Sequence, residues 1–171
     1  EAAGEDADSK WMDGKRVLIL GAGGVARAIA MGVVDRGAKL QITSRTYERS
    51  MGLASELKCE SIEWEERHQA SPDVLINCTP VGMHPEVNFT PFEESGMNRR
   101  MIVFDTIYNP EQTLLLKTAR GHGCKTVSGV EMFVKQAELQ FEFFTGEEAP
   151  TDVMRDTLRK TIGAAKLRPT K

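Results

Sequence analysis

The run Val17-Leu18-Ile19-Leu20, opened by Arg16, leads without a break into Gly21-Ala22-Gly23-Gly24-Val25-Ala26, and a helical pattern over 25–36 starts inside that motif. A buried strand that turns into a helix through Gly-x-Gly-x-x-Ala is the fingerprint of a dinucleotide site. Gly21 permits the tight turn, Gly23 lets a pyrophosphate approach the backbone, and Ala26 allows the helix to pack close to the strand. The phosphates are then expected on the amides of 22–25, at the start of the helix. The bare pattern also occurs in unrelated turns; here the flanking strand and helix give it its meaning.

The second strand, 39–43, selects the dinucleotide. NAD-binding folds place a carboxylate at its end to accept the ribose 2′-hydroxyl, whereas this chain has Ser44-Arg45-Thr46-Tyr47-Glu48-Arg49. A guanidinium fork matches a phosphate that a carboxylate would repel. Arg45 and Arg49, with the hydroxyls of Ser44 and Thr46, therefore point to a 2′-phosphate pocket and to NADP, with Arg45 also placed to stack on adenine. A second reading stays open, in which Ser44 caps a helix and both arginines are simply solvated. Glu48 is the nearby acid that blurs the preference.

A chain of 171 residues suits one domain. The expected division is a flexible segment 1–13, a nucleotide-binding domain 14–166 and a flexible tail 167–171, the ends being acidic or polar. A net charge of −3 and a pI near 5.7 give no basic field for nucleic acid. No apolar run approaches the roughly 20 residues that span a bilayer, and no signal peptide is read at the start. Cys59, Cys78 and Cys124 are odd in number and far apart, which argues against disulfides and a Cys-x-x-Cys metal site and suits a reducing cytoplasm. His68, His84 and His122 show no ligand spacing, so no metal is expected and each histidine is read as a surface or loop residue.

Strand and helix signals alternate through the remainder. Strands are expected at 59–62, 73–78, 101–105 and 125–128, and helices at 47–57, 111–120, 130–144 and 151–166; 63–69 is ambiguous. This order predicts a three-layer, doubly wound Rossmann fold with a mostly parallel six-stranded sheet. Met132, Phe133, Gln136, Leu139, Gln140 and Phe143 share one side of the fourth helix and are read as its buried face. The connection 79–100 has no clear regular structure, and long loops beyond strand C-termini are where open α/β sheets hold ligands.

With these elements placed, the chain resembles the NADP-binding domain of the shikimate dehydrogenases over about 14–163. The glycine motif through Arg27, Ser44 to Arg49, Asn77-Cys78-Thr79-Pro80-Val81-Gly82-Met83, Asp105-Thr106-Ile107-Tyr108-Asn109-Pro110, and Gly129-Val130-Glu131-Met132 with Gln136-Ala137 follow the family's motifs in order. Residues 128–146 are most similar to the bifunctional dehydroquinate dehydratase/shikimate dehydrogenase type of plants, which makes a larger parent protein and a plastid location conceivable beside a cytoplasmic one.

The resemblance implies NADPH-dependent, reversible reduction of 3-dehydroshikimate to shikimate, in aromatic amino acid biosynthesis. It places Thr79, Thr106 and Gly129 near the nicotinamide, and Tyr108 and Gln136 within reach of the substrate. Two departures are visible. Ser44 stands where the family has Asn, and Pro80, which lacks an N–H, stands where Ser is usual. The family's catalytic Lys-Asp pair belongs to a substrate domain that this sequence does not contain. The expectation is therefore a cofactor domain with no catalytic residue of its own, inactive alone, whose last helix exposes Val153, Met154, Leu158 and Ile162 and drives self-association. Three alternatives remain: a quinate dehydrogenase domain, a freestanding NADP-binding regulatory or redox-sensing module, and an interaction protein with an empty Rossmann shell.

Overall fold

A computed structural model describes residues 10–165; the expectations for 1–9 and 167–171 lie outside the described residues, while at the end of the expected flexible segment 1–13 a short 3-10 turn, Lys10–Met12, puts Met12 into the core. The described residues hold six strands: β1 (Arg16–Leu20), β2 (Lys39–Thr43), β3 (Glu60–Ser61), β4 (Val74–Asn77), β5 (Ile102–Asp105) and β6 (Lys125–Val127). They form one sheet in the order β3-β2-β1-β4-β5-β6. All five pairings are parallel, where the sequence reading allowed a mixed sheet. Every connection crosses over a face of the sheet before its strand returns, which forces one direction throughout.

Strand alternation divides the core between two faces. Val17, Ile19, Val74 and Ile76 pack under α1 (Gly24–Asp35) and α2 (Tyr47–Leu57), through Ala26, Ala30, Val33 and Leu53. Leu18, Leu20, Leu75 and Val103 face the other way, against α3 (Leu114–Gly121) and the 79–100 connection, whose Phe92 is completely buried. A parallel sheet covered on both sides explains why its strands read as unbroken apolar runs.

Local signals set the element ends. α3 starts at Leu114 rather than 111 because the Thr113 hydroxyl accepts the amide of Leu116 at 3.3 Å, an N-cap. The ambiguous stretch 63–69 holds a short 3-10 turn, Glu65–Gln69, and another, Glu94–Gly96, is the regular structure inside the 79–100 connection.

The two final helices, α4 (Gly129–Thr145) and α5 (Thr151–Ala165), form a hairpin with its own small core of Val130, Val134 and Ile162, with Leu158 packed against it. This corrects two expectations. The stripe of Phe133, Gln136, Leu139, Gln140 and Phe143 is exposed, Phe143 by 83%; the buried side of α4 is the one carrying Val130 and Val134. Both sides are apolar enough to read as core, and Gly129, wedged against the turn after β5, decides which one turns inward. On α5, Ile162 is buried and Leu158 half-buried, so of the four residues expected to be exposed only Val153 is. Among the described residues no helix is long and apolar enough to cross a membrane.

Candidate functional site

The sequence motifs lie in turns that follow the C-terminal ends of β1, β2, β4, β5 and β6. Because these strands are neighbours in the order β2-β1-β4-β5-β6, their turns line up along one edge of the sheet. At the centre, Gly21 takes φ +106°, a conformation side chains rarely adopt, and a Cβ there would come within 2.9 Å of the Cys78 carbonyl oxygen. Its amide donates to Thr43 O at 2.7 Å, pinning the turn to β2. Gly23, the N-cap of α1, offers no side-chain cap, so the amides at the start of the helix are left for an outside acceptor. Gly23, Gly24 and Val25 are exposed and Ala22 is half-buried, whereas Ala26 is fully buried on β1.

On the β2 side Arg45, Thr46 and Arg49 are exposed and Ser44 is half-buried. The helix that follows is capped at Thr46, not Ser44; the Ser44 hydroxyl instead accepts the Thr46 amide at 3.3 Å in a tight turn. Neither Arg45 nor Arg49 makes a side-chain hydrogen bond or ion pair with another described residue, and Glu48 does not engage them. Arg27, by contrast, is spent on Glu56 of α2. This side thus presents two uncommitted guanidinium groups one strand away from free helix amides, a donor set suited to phosphate.

The β4–β5 side is built of buried groups. Asn77 and Asp105 are register partners at the ends of the two strands, both completely buried, and the Asn77 side-chain amide donates to Asp105 Oδ1 at 3.0 Å. Asp105 also accepts the Ile107 amide at 3.1 Å and, on Oδ2, the Thr113 hydroxyl at 2.7 Å. Burial pushes its carboxyl above the usual carboxylate range even though these three donors pull it back. Asn77 Oδ1 accepts both the amide and the hydroxyl of Thr79, at 2.9 and 2.7 Å, and its backbone carbonyl accepts both the amide and the hydroxyl of Thr106. The hydroxyls of Thr79 and Thr106 therefore fasten the turns in which they sit.

Gly129 is buried, and a Cβ on it would overlap the carbonyl oxygens of Thr106 and Ile107. Tyr108 is exposed and packs its ring 5.5 Å from that of Phe133; Gln136, also exposed, lies one turn further along the same side of α4. Thus Thr79, Thr106, Gly129 and Tyr108 cluster at one end of the edge with Gln136 beside them, while Ser44, Arg45, Thr46 and Arg49 form the other end. Among the described residues two buried polar side-chain atoms lack a partner, Thr43 Oγ1 and Asn109 Oδ1, one belonging to each end.

Asn77, Asp105 and Thr113 were not singled out in sequence as site residues. The available signal was a polar residue closing each of two adjacent apolar strands, a pattern whose meaning requires the register. Burial pushes the Cys78 thiol up to about 12, away from the thiolate form that a nucleophilic cysteine needs. Among the described residues no three His, Cys, Asp or Glu side chains are placed to hold a metal ion. A cavity of about 520 Å³ between His84, Pro110, Leu114 and α5 lies beside this edge rather than over the glycine turn. The motif-bearing edge is the better candidate, because open α/β sheets bind ligands at strand C-termini where the order reverses, here between β1 and β4.

Comparison with known proteins agrees with this fold. The sequence pattern described as shikimate / quinate 5-dehydrogenase matches residues 4–111, and that described as shikimate 5′-dehydrogenase C-terminal domain matches 129–159. The chain is 40% identical over 149 residues to the bifunctional 3-dehydroquinate dehydratase/shikimate dehydrogenase of Arabidopsis thaliana, covering 85% of this chain and 25% of that one. A shikimate dehydrogenase solved in complex with NADP+ superposes with a TM-score of 0.79 at 30% identity, over 88% of this chain and 55% of that one. The quinate dehydrogenase of Corynebacterium glutamicum in complex with NAD gives 0.78 at 32% identity, over 87% and 55%. The chain spans about half the length of most curated relatives it matches. On the extent of these matches, the chain belongs to the shikimate/quinate 5-dehydrogenase family.

Proposed function

We propose that this chain is the cofactor-binding half of an NADP-dependent shikimate dehydrogenase, which reversibly reduces 3-dehydroshikimate to shikimate in aromatic amino acid biosynthesis. The observation that carries the reading is the pair of uncommitted guanidiniums, Arg45 and Arg49, at the end of β2, with no carboxylate where an NAD-specific site holds one. When bound, NADPH supplies the hydride.

The chain's own groups bind and orient. The backbone from Gly21 to Ala26 takes the pyrophosphate, and Ser44, Arg45, Thr46 and Arg49 take the 2′-phosphate and adenine. Thr79, Thr106 and Gly129 frame the nicotinamide. Tyr108 and Gln136 offer hydrogen bonds to a hydroxylated ring acid. The catalytic Lys-Asp pair is assigned to the half that relatives have in addition, and the exposed stripe on α4 is assigned to contact with that half or to self-association. The chain alone then binds cofactor without turnover. The parent is placed in the cytoplasm, or in a plastid if it is of the plant type.

A second reading, an NAD-dependent quinate dehydrogenase, is favoured by the likeness to the Corynebacterium enzyme and opposed by the cations after β2. Titration with NADPH and NADH, followed by nicotinamide fluorescence, separates the two. Tight NADPH binding with NADH weaker by about tenfold or more, and loss of that preference in Arg45→Ala, is the expected result. A folded chain that prefers NADH favours the quinate reading, and one that binds neither nucleotide removes the cofactor assignment.

A further inference from the structure

The dinucleotide reading gives no task to Asp105, yet this carboxylate is completely buried and, among the described residues, no Lys, Arg or His pairs with it. Its three donors are neutral: Asn77 Nδ2, the Ile107 amide and the Thr113 hydroxyl. Burying a charge without a cation costs stability, so the carboxylate is poorly explained as a stabiliser of the fold.

What it touches is more informative. Through Asn77 it fixes Thr79, whose amide and hydroxyl both rest on Asn77 Oδ1, and the Thr79 hydroxyl in turn accepts the amide of Val81 at 3.2 Å. The carbonyl of the same Asn77 holds Thr106 through its amide and hydroxyl, at 3.0 and 2.9 Å. Through the Ile107 amide Asp105 shapes the turn that presents Tyr108, and the carbonyls of Thr106 and Ile107 in that turn are the surface on which Gly129 is seated. The hydrogen bonds of this one side chain therefore lead to Thr79, Thr106, the turn of Tyr108 and the seat of Gly129 and to neither Arg45 nor Arg49; the glycine turn is met only by packing, where Cys78 and Thr79 lie against Gly21. The Rossmann fold joins two mononucleotide-binding halves, and the β4–β6 half takes the nicotinamide end.

We infer that Asp105 is the positioning residue of the nicotinamide end: it holds the β4 and β5 turns at the spacing that the nicotinamide ring and the substrate require, without touching either. The inference rests on the dinucleotide reading. A carboxylate suits the task because both its oxygens only accept, as the three converging donors demand; an asparagine would turn an N–H toward at least one of them. Burial holds the carboxyl's pKa above the usual carboxylate range, although its three donors pull it back.

The test uses this 171-residue chain as wild type, Asp105→Asn and Asp105→Ala, each titrated with NADPH and with adenosine 2′,5′-bisphosphate, which carries the adenosine end alone. Expected is a loss of NADPH affinity of about tenfold in Asp105→Ala and less in Asp105→Asn, with adenosine 2′,5′-bisphosphate affinity unchanged in both. Parallel weakening of the two probes, or no change in either, overturns the inference and leaves Asp105 a residue of general structure. Wild-type chain that binds neither probe instead overturns the dinucleotide reading, and the positioning role with it. Should Asp105→Ala fail to fold, the ratio of the two affinities in Asp105→Asn decides alone.

Discussion

The two ends of the strand edge are made differently. At the β2 end, Arg45, Thr46 and Arg49 stand in solvent and neither guanidinium holds any other described part of the chain; at the β4–β5 end, Asn77, Asp105 and Thr113 are buried and hold one another. On the proposed reading, one end would recognise by charge carried on exposed side chains, the other by a shape fixed beforehand. A charge-built site is cheap to alter without harming the fold, whereas a shape-built site is bound up with stability. Four measurements break or sharpen that contrast.

The largest effect belongs to the shape-built end. Gly129→Ala forces a methyl into the carbonyl oxygens of Thr106 and Ile107, and since backbone cannot yield as a flexible side chain does, the expected loss is about 3 kcal/mol in urea unfolding. A variant as stable as wild type would show that α4 is not seated where the structure has it. Next comes the charge-built end, where Arg45→Ala with Arg49→Ala lowers NADPH affinity by about 100-fold and leaves the melting temperature unchanged. A drop in melting temperature of several degrees would mean that these cations support the fold after all.

The third effect is smaller and depends on pH. His68 packs 5.2 Å from Phe92 in the long connection, and its Nδ1 accepts the Glu93 amide at 3.0 Å. Burial first, then the charge of Arg67, lowers its pKa, and Glu93 only partly opposes them. The unfolded chain then binds the proton more readily than the folded one. The stability it contributes is complete above the ordinary histidine range, near 6.5, and is lost as pH falls below it through the depressed folded value. Urea midpoints of wild type and His68→Gln, compared between pH 7.5 and 5, should converge on acidification; parallel curves would refute the assignment. Asp105, with its raised pKa, works in the opposite direction, because a carboxyl that protonates more readily when folded favours the fold as pH drops. Smallest of all, Phe143→Ser should leave stability within about 0.5 kcal/mol, because the ring is exposed in this chain. A cost of 2 kcal/mol would restore the buried face that the sequence pattern suggested.

The same contrast explains what the sequence disclosed. Gly21 and the Arg45/Arg49 pair were legible because each carries its reason locally: a backbone conformation open to glycine, and a charge where a carboxylate would otherwise stand. The strands were legible because burial on both faces leaves unbroken apolar runs, although β3 shrank to Glu60–Ser61 at the sheet's edge. The Asn77–Asp105 bond joins residues 28 positions apart and becomes visible only when β4 and β5 are set in register. The face of α4 was misread because periodicity reports that a stripe is apolar, not what covers it.

The small core of Val130, Val134, Leu158 and Ile162 is separate from the two clusters that grip the sheet. Its consequence is cooperative independence: with so few apolar contacts, the α4–α5 hairpin is a unit able to open while the sheet stays closed. In amide hydrogen exchange its protected amides should trade as a group, well ahead of those in β1 and β4. Gln136 would then ride on a unit that opens ahead of the sheet whose β2 carries Arg45, so that one end of the edge is settled before the other.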